Sequence, residues 1–318
     1  MSAINASGCG SGKVLAVPGE REGQRLDNFL LGFFKHVPRS LLYRLIRQGR
    51  IRVDRKRVRP AFRLEAGQMI QLPAIQDLAP VPAVNEKVQY KHDIRRLILY
   101  EDASLLVLNK PAGLAVHGGS GLSFGVIELL RRQRADLPFV ELVHRLDRET
   151  SGCLMIAKRR SMLLFLHQAL RQQQLVKRYQ ALVAGTWPKR RHTVSCPLEK
   201  YVNRAGQRFV KVSAGGKPSV TRFTLAQRFR ESSLIVAQPV TGRTHQIRVH
   251  SAHVQRPILG DEKYGDPELN RRWRRLGLHR LFLHACEVEI PQRHGSRPLT
   301  VRAPLDDQLV ALLERLAA

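Results

Sequence analysis

One acidic residue, Asp147, stands in a short basic segment between Arg145 and Arg148. The chain continues through residues 150–152 (Thr-Ser-Gly), which favour a turn, into the apolar run 153–157, which has the composition of a buried strand. A nearby guanidinium favours the ionised form of a carboxyl group, and an ionised carboxylate can act as a nucleophile. The same residues fit a simple ion pair at the mouth of a loop. Spacing alone leaves both interpretations open.

Two further segments contain single residues whose position in a predicted element can be judged from the sequence. Residues 177–183 alternate polar and apolar side chains, which predicts a strand with Tyr179 facing away from Arg178. Such a tyrosine usually packs into the core. Residues 240–250 include Thr244, a suitable N-cap, which places Arg248 one turn into a helix on the same face.

Three histidines raise the alternative of a metal site: His245, His250 and His253. Their spacing is not that of a His-Glu-x-x-His motif, and no acid stands among them. We therefore predict no metal, and we expect packing or RNA contact for these side chains.

Glycine-rich residues 117–125 follow the segment 109–113, and such a loop can bring backbone amides close to phosphate. A plain tight turn fits the glycines equally well. Gly119 and Gly121 lack the next glycine of a dinucleotide fingerprint, and residues 7–14 depart from a phosphate loop at its first glycine and its last hydroxyl residue. No nucleotide cofactor is expected.

Hydrophobic periodicity places these segments in a strand-rich chain with irregularly interspersed helices. We predict strands over residues 97–100, 105–108, 177–184, 219–226, 233–240 and 281–290, and helices over residues 124–134, 160–174, 244–253 and 305–316. This order predicts an α+β fold with a mixed or antiparallel sheet rather than a regular βαβ winding.

The first part of the chain has a separate character. Residues 1–18 are expected to form a flexible tail, residues 19–73 a compact basic module, residues 74–92 a proline-containing linker, and residues 93–318 the main domain. In the module, Leu26, Phe29, Leu30 and Phe33 predict one amphipathic helix, and a second helix after Pro38 is expected to end at a left-handed Gly49. Residues 20–72 carry 13 lysines and arginines against 5 acids, with the arginines concentrated on the second helix and the following hairpin. An RNA-facing patch is therefore expected.

Charge restricts the class of partner. The 318 residues contain 54 lysines and arginines against 26 acids, a formal net charge of +28. Such self-repulsion is best tolerated beside a polyanion, and nucleic acid is the leading candidate. An anionic membrane would require a longer basic amphipathic helix than residues 270–276 provide. We expect no membrane partner and, from the high charge, a monomer.

Cysteine usage and termini indicate the compartment. The four cysteines, Cys9, Cys153, Cys196 and Cys286, are far apart and form no Cys-x-x-Cys pair. No apolar run is long enough to span a membrane, and the N-terminus has no secretory pattern. These features predict a cytoplasmic protein with reduced thiols.

Residues 144–152, His-Arg-Leu-Asp-Arg-Glu-Thr-Ser-Gly, resemble the signature of the pseudouridine synthases related to ribosomal large subunit pseudouridine synthase A. Segments 109–125, 177–183, 240–250, 259–265 and 280–285 match the same family in order, and residues 116–127 are typical of one branch. The opening of the basic module at residues 23–30 resembles an S4 RNA-binding domain. The likeness covers residues from about 20 to the C-terminus.

The resemblance implies a pseudouridine synthase that acts on 23S ribosomal RNA or a large-subunit precursor without a cofactor. It implies Asp147 as the catalytic residue, Tyr179 stacking on the target base, and a basic residue paired with Asp147. We assign that pairing to Arg248, with Arg243 as the alternative. The expected RNA contacts are Arg145, Arg39, Arg44, Arg47, Arg50, Arg52, Lys110, His117, Arg243 and His245.

Two other functions stay open at this point. A non-catalytic RNA-binding or ribosome-assembly protein would explain the charge and the arginine-rich helix equally well. It would not explain why Asp147, Tyr179 and Arg248 occur together in their motifs. An RNA-cleaving or base-removing enzyme would need a water-activating pair or a metal, and neither is recognisable.

Overall fold

The computed structural model describes residues 14–34, 37, 39–73, 93–118, 125–203, 206–292 and 297–318. Contacts between Cα atoms divide the chain into two compact units, residues 1–90 and residues 91–318. The linker expected over residues 74–92 lies outside the described residues. No helix in the described ranges is long and apolar enough to cross a lipid bilayer.

The smaller unit contains two helices that share a core with a three-stranded antiparallel sheet of order β1-β3-β2. Its elements are β1 (Val14–Ala16), α1 (Leu26–Phe33), α2 (Arg39–Arg47), β2 (Arg52–Val53) and β3 (Met69–Gln71). Residues 14–16, expected in the flexible tail, instead pair with β3 along its edge. Residues 14–16 therefore belong to the sheet of the smaller unit and not to a flexible tail.

Local sequence agrees with where the two helices of this unit end. Leu26, Phe29 and Leu30 are buried as predicted, but Phe33 is 53% exposed because α1 ends at this residue. After α2, Gly49 adopts a φ of 70°, which confirms the expected left-handed stop.

The larger unit is built on a ten-stranded sheet with the main order β4-β5-β7-β14-β8-β13-β12-β9, to which β15 and β6 add at β14 and β7. Its strands are β4 (Ile98–Glu101), β5 (Leu105–Lys110), β6 (Glu141–Leu142), β7 (Ser151–Ala157), β8 (Val176–Ala184), β9 (Arg191–Ser195), β12 (Val220–Arg228), β13 (Ser232–Pro239), β14 (Leu283–Ile290) and β15 (Leu299–Arg302). A separate hairpin is formed by β10 (Leu198–Val202) and β11 (Arg208–Val212).

The helices of this unit are α3 (Val126–Gln133), α4 (Arg160–Arg171), α5 (Gln246–His253), α6 (Pro267–Arg275) and α7 (Asp307–Ala317). Neighbouring strands are antiparallel except for β7 and β14, which pair in parallel. The predicted α+β fold with a mixed, mainly antiparallel sheet is therefore confirmed. Each predicted strand and helix of the unit is present within three residues of its expected ends.

The expected turn at residues 150–152 is wrong. Ser151 and Gly152 already belong to β7, where they pair with His284 and Ala285 of β14. Gly152 has a φ of 103°, and a Cβ atom there would lie 2.3 Å from the carbonyl oxygen of Ala285. The glycine allows two backbones to approach closely in the middle of the sheet.

Candidate active site

Asp147 lies in the loop that enters β7, and its side chain is 27% exposed. The loop turns back through a hydrogen bond from the Thr150 backbone N–H to the Asp147 carbonyl oxygen, 3.1 Å long. The neighbouring Leu146 is buried and anchors the loop. In the described ranges, no donor is hydrogen-bonded to the Asp147 carboxylate, and the side chain is partly exposed to solvent.

Two side chains from a distant part of the chain face this carboxylate. Arg248 Nη1 lies 3.6 Å and His245 Nε2 lies 3.8 Å from Asp147 Oδ2. Arg148, adjacent in sequence, instead donates from Nε to the Gly113 carbonyl oxygen at 3.0 Å. Arg248 and Arg243 were the two arginines proposed to pair with Asp147, and it is Arg248 that lies 3.6 Å from its carboxylate.

Asp261, which the sequence did not single out, fixes the orientation of Arg248. Arg248 donates from Nε and Nη2 to the two carboxylate oxygens of Asp261, both at 2.7 Å, and both side chains are buried. This fork-to-fork pairing leaves Nη1 directed at Asp147. The backbone N–H groups of Lys263 and Tyr264 also donate to Asp261, so its carboxylate is well satisfied.

His245 adopts a left-handed backbone with a φ of 53°, and α5 begins after it at Gln246. The predicted start of this helix with Thr244 as its cap is therefore wrong, because the chain turns sharply at His245. That turn directs Nε2 of the imidazole toward Asp147. The other ring nitrogen, Nδ1, lies 2.6 Å from the Tyr264 hydroxyl oxygen. Burial, opposed by Asp147 and reinforced by Arg248, lowers the pKa of His245 to about 4.

Tyr179 lies on β8, buried, while Arg178 points away and pairs with Glu287 and Glu289 on β14. The opposite orientation of these neighbours is as predicted. Burial, together with the negative charge of Asp147, raises the pKa of the Tyr179 hydroxyl above its usual range. The phenol is therefore protonated at neutral pH.

A cavity of about 100 Å³ joins these side chains, and it is lined by Asp147, Tyr179, His245, Arg248 and Ile247, among others. A larger groove of about 680 Å³ is also lined by Asp147. Arg145 lines both spaces, Arg243 the smaller and His117 the larger, and all three side chains are exposed. Two arginines and a histidine thus line the approaches to the carboxylate.

The prediction that Lys110 contacts RNA does not agree with its position in the structure. Lys110 is completely buried, and its Nζ donates to the carbonyl oxygens of Pro111, Leu114 and Arg148 at 2.8, 2.8 and 3.1 Å. Burial, together with repulsion from Arg280, lowers the pKa of Lys110 to about 7. The lysine holds the 111–114 loop against the loop that carries Asp147.

In the smaller unit, Arg44, Arg47, Arg50 and Arg52 are exposed, as expected for an RNA-facing surface. Arg52 donates from Nε to the Gly49 carbonyl oxygen, which ties the hairpin to the end of α2. The side chain of Arg39 lies outside the part of the chain that the structure describes.

His245 and His250, two of the three histidines considered as metal ligands, make other contacts. His250 is buried, and its two ring nitrogens lie 2.9 Å from the hydroxyls of Ser219 and Thr221. Among the described residues, no cluster of three or more histidines, cysteines or acids is arranged to hold a metal ion.

Comparisons with known proteins place this geometry in a family. Residues 104–253 match the family model described as RNA pseudouridylate synthase, and residues 24–70 match the S4 domain, which confirms the expected S4-like module. The chain is 46% identical over 305 residues to ribosomal large subunit pseudouridine synthase C of Pasteurella multocida (strain Pm70), covering 95% of this chain and 93% of that protein. It is also 46% identical over 307 residues to the protein of the same name from Escherichia coli (strain K12), covering 96% of each.

Solved structures agree. Human RNA pseudouridylate synthase domain containing 4 superposes with a TM-score of 0.59 at 28% identity, covering 70% of this chain and 94% of that chain. Human RNA pseudouridylate synthase domain containing 1 shares the fold, with a TM-score of 0.56 at 24% identity. The branch indicated by residues 116–127 is that of synthase C, and the relatives confirm it. This chain belongs to the RNA pseudouridylate synthase family.

Proposed function

We propose that this chain isomerises specific uridines of 23S ribosomal RNA to pseudouridine, with Asp147 as the catalytic residue. The reaction breaks the bond from uracil N1 to ribose C1′, rotates the base, and joins C5 to C1′. It involves no redox change and no hydrolysis, so it needs neither a metal nor a nucleotide cofactor. The printed names of relatives that are 46% identical over nearly the whole chain support the large ribosomal subunit as the source of the substrate.

The observation that carries the proposal is an open carboxylate paired with a fixed cation. Arg248 places positive charge 3.6 Å from Asp147 without occupying the oxygen atoms. An ionised oxygen of this kind can attack the sugar or the base, or remove a sugar proton. In each case the fixed guanidinium stabilises the charge on Asp147 without reorganising.

Tyr179 offers an aromatic wall of the cavity beside Asp147. Extruding a base from its stack costs a few kcal/mol of free energy, and stacking the base on an aromatic side chain recovers about 1–3 kcal/mol. Because the raised pKa keeps its hydroxyl protonated, Tyr179 can donate a proton but is a poor base at neutral pH. We assign it the role of holding the uracil.

The RNA backbone is assigned to the side chains that line the two openings, Arg145, Arg243 and His117. The exposed arginines of the S4 domain add binding that is independent of the base. Such phosphate contacts position an RNA without reading its sequence. Arg145, which lines both spaces next to Asp147, is well placed to fill the gap that the extruded base leaves.

We further propose that the protein works as a monomer in the cytoplasm, with the domain boundaries expected from the sequence. The net charge of +28 opposes self-association. Cys153, Cys196 and Cys286 are free thiols, which suits a reducing compartment.

The test is incubation with an unmodified 23S rRNA transcript, followed by carbodiimide mapping of pseudouridine. We expect Asp147→Asn to bind the transcript and form no product, because the amide lacks the ionised oxygen. Asp136→Asn, which alters an acid 60% exposed and paired with Arg134, is the matched control and should stay active. An active Asp147→Asn variant would remove Asp147 from the mechanism. A wild-type protein that binds and modifies no position would favour the RNA-binding function.

A further inference from the structure

Tyr264 connects the exposed hairpin to the histidine beside Asp147. Its hydroxyl oxygen accepts a hydrogen bond from the backbone N–H of Val210 on β11, 3.0 Å long. The same oxygen lies 2.6 Å from Nδ1 of His245. The phenol is half-buried, and burial raises its pKa to about 12, so the hydroxyl keeps its hydrogen.

The Tyr264 oxygen takes part in two hydrogen bonds, and only the first has a fixed direction. A backbone N–H can only donate, so the Tyr264 oxygen is the acceptor from Val210. Toward His245 Nδ1, 2.6 Å away, the hydroxyl either donates its hydrogen or accepts from a protonated Nδ1 through its second lone pair. If the hydroxyl donates, Nδ1 is unprotonated, and in a neutral imidazole the proton must then lie on Nε2.

The electrostatics select the arrangement in which Tyr264 donates to Nδ1 and Nε2 carries the proton. Nε2 is the nitrogen that faces Asp147 Oδ2, at 3.8 Å. The opposite tautomer would direct an unprotonated nitrogen lone pair at the carboxylate and leave the Tyr264 hydrogen without this acceptor. The ring is neutral at neutral pH, since its pKa lies well below 7.

We propose that Tyr264 is a positioning residue that holds His245 in its Nε2–H tautomer and so keeps a neutral N–H beside the Asp147 carboxylate. The proposal rests on the proposed role of Asp147 and adds to it a residue that the sequence did not single out. It explains how a histidine can assist the carboxylate without a second positive charge.

Tyr264 also contacts the other partner of Asp147. The Arg248 guanidinium carbon lies 5.1 Å from the centre of the Tyr264 ring, within cation–π range. The Tyr264 backbone N–H donates to Asp261, which orients Arg248. One residue therefore supports both groups that face the carboxylate, and through Val210 it links them to the hairpin.

The tautomer can be measured directly. In the full-length protein labelled with ¹⁵N-histidine, two-bond ¹H–¹⁵N correlation spectra at pH 7.5 distinguish a protonated Nε2 from a protonated Nδ1. His245 is assigned as the resonance set missing from His245→Gln. We expect wild-type His245 to be neutral with the proton on Nε2, and Tyr264→Phe to show a mixture of tautomers. This readout needs no RNA and is independent of whether the protein makes pseudouridine.

Kinetics test the consequence for catalysis. We expect Tyr264→Phe to lower kcat about fivefold or more, the worth of one net hydrogen bond, while KM for the RNA stays within twofold. Tyr201→Phe is the matched control, because Tyr201 belongs to the same aromatic cluster and its hydroxyl makes no hydrogen bond in the described ranges. It should change neither the tautomer nor kcat.

Two results would overturn the inference: a wild-type His245 protonated on Nδ1 or on both nitrogens, or a Tyr264→Phe variant with the spectrum and kcat of Tyr201→Phe. If Tyr264→Phe does not fold, the wild-type spectrum decides alone. An active Asp147→Asn variant would refute the proposed function while leaving the tautomer result intact.

Discussion

Replacing Asp261 by Asn tests whether the ion pair between Asp261 and Arg248 stabilises the fold and aligns Arg248 with Asp147. The substitution keeps the shape of the side chain and one oxygen, but it puts an amide N–H₂ where Arg248 now donates. One of the two 2.7 Å hydrogen bonds becomes a contact between donors. The backbone N–H groups of Lys263 and Tyr264 compete for the remaining oxygen.

The burial of the pair sets the size of the effect. The Asp261 side chain is 1% exposed and that of Arg248 is 7% exposed, so water cannot replace the lost partner. Breaking a buried ion pair by removing one partner costs about 3–5 kcal/mol, and the retained oxygen places Asp261→Asn near 3 kcal/mol. At 3.6 Å, the attraction between Arg248 and Asp147 is about 1 kcal/mol in water and about 4–5 kcal/mol at an effective dielectric constant of 20. Because Asp147 is partly exposed, we expect the loss of this alignment to lower kcat about tenfold or more.

Urea unfolding followed by tryptophan fluorescence measures the stability of the larger unit alone. Both tryptophans of the chain, Trp187 and Trp273, are buried in that unit. Glu231→Gln is the matched control, since it alters an exposed pair with Arg272 and should change the free energy of unfolding by less than about 1 kcal/mol. The reasoning would be refuted by an Asp261→Asn variant that unfolds like this control and keeps wild-type kcat.

Three other substitutions give separate tests. Gly152→Ala should destabilise the larger unit by about 3 kcal/mol or more, because the new Cβ meets the Ala285 carbonyl at a positive φ, and a melting temperature unchanged within 2 °C would contradict the close approach. The folded state lowers the pKa of Lys110 to about 7, so above pH 7 the unfolded chain binds the proton more tightly and the folded form gains stability as pH rises toward 10.5. The free energy of unfolding of the wild type minus that of Lys110→Met should therefore increase from pH 7 to pH 9 in urea titrations. A constant value would contradict the lowered pKa of Lys110. Tyr179→Phe should bind and modify RNA within a few-fold of wild type, whereas Tyr179→Leu should bind about 5–150-fold more weakly, as measured by filter binding and single-turnover rates; equal losses would argue against stacking.

The sequence was most informative where one short segment determines one feature. Apolar periodicity predicted the major strands and helices, and Gly49 predicted the end of α2. The motifs containing Asp147 and Arg248 predicted two groups 101 positions apart in the chain that the fold brings to 3.6 Å. Shorter strands were missed, namely β9 at the end of the main sheet and β10 and β11 in the hairpin, because mostly exposed strands carry little hydrophobic alternation.

Features that depend on packing could not be predicted in this way. Segment 259–265 resembles the family, but nothing in it distinguishes Asp261 as a buried partner of Arg248 from a surface acid. Lys110 looks like an RNA contact in a basic chain, and only its three carbonyl acceptors show that it is internal. Gly152 was taken as a turn residue because glycine serves turns and close backbone approach equally well, and the neighbouring strand that decides between them is 133 positions away.

The unbonded oxygen atoms of Asp147 have a consequence for turnover. A carboxylate has about four lone-pair sites, and in the described ranges no protein donor is hydrogen-bonded to those of Asp147, whose side chain is 27% exposed. Under the proposed mechanism, solvent must leave this anion before the uridine reacts, and binding energy from RNA phosphates is the expected source of the energy. We therefore expect an RNA fragment too short to make the proposed phosphate contacts with Arg145 and Arg243 to be processed slowly even when every enzyme molecule is occupied.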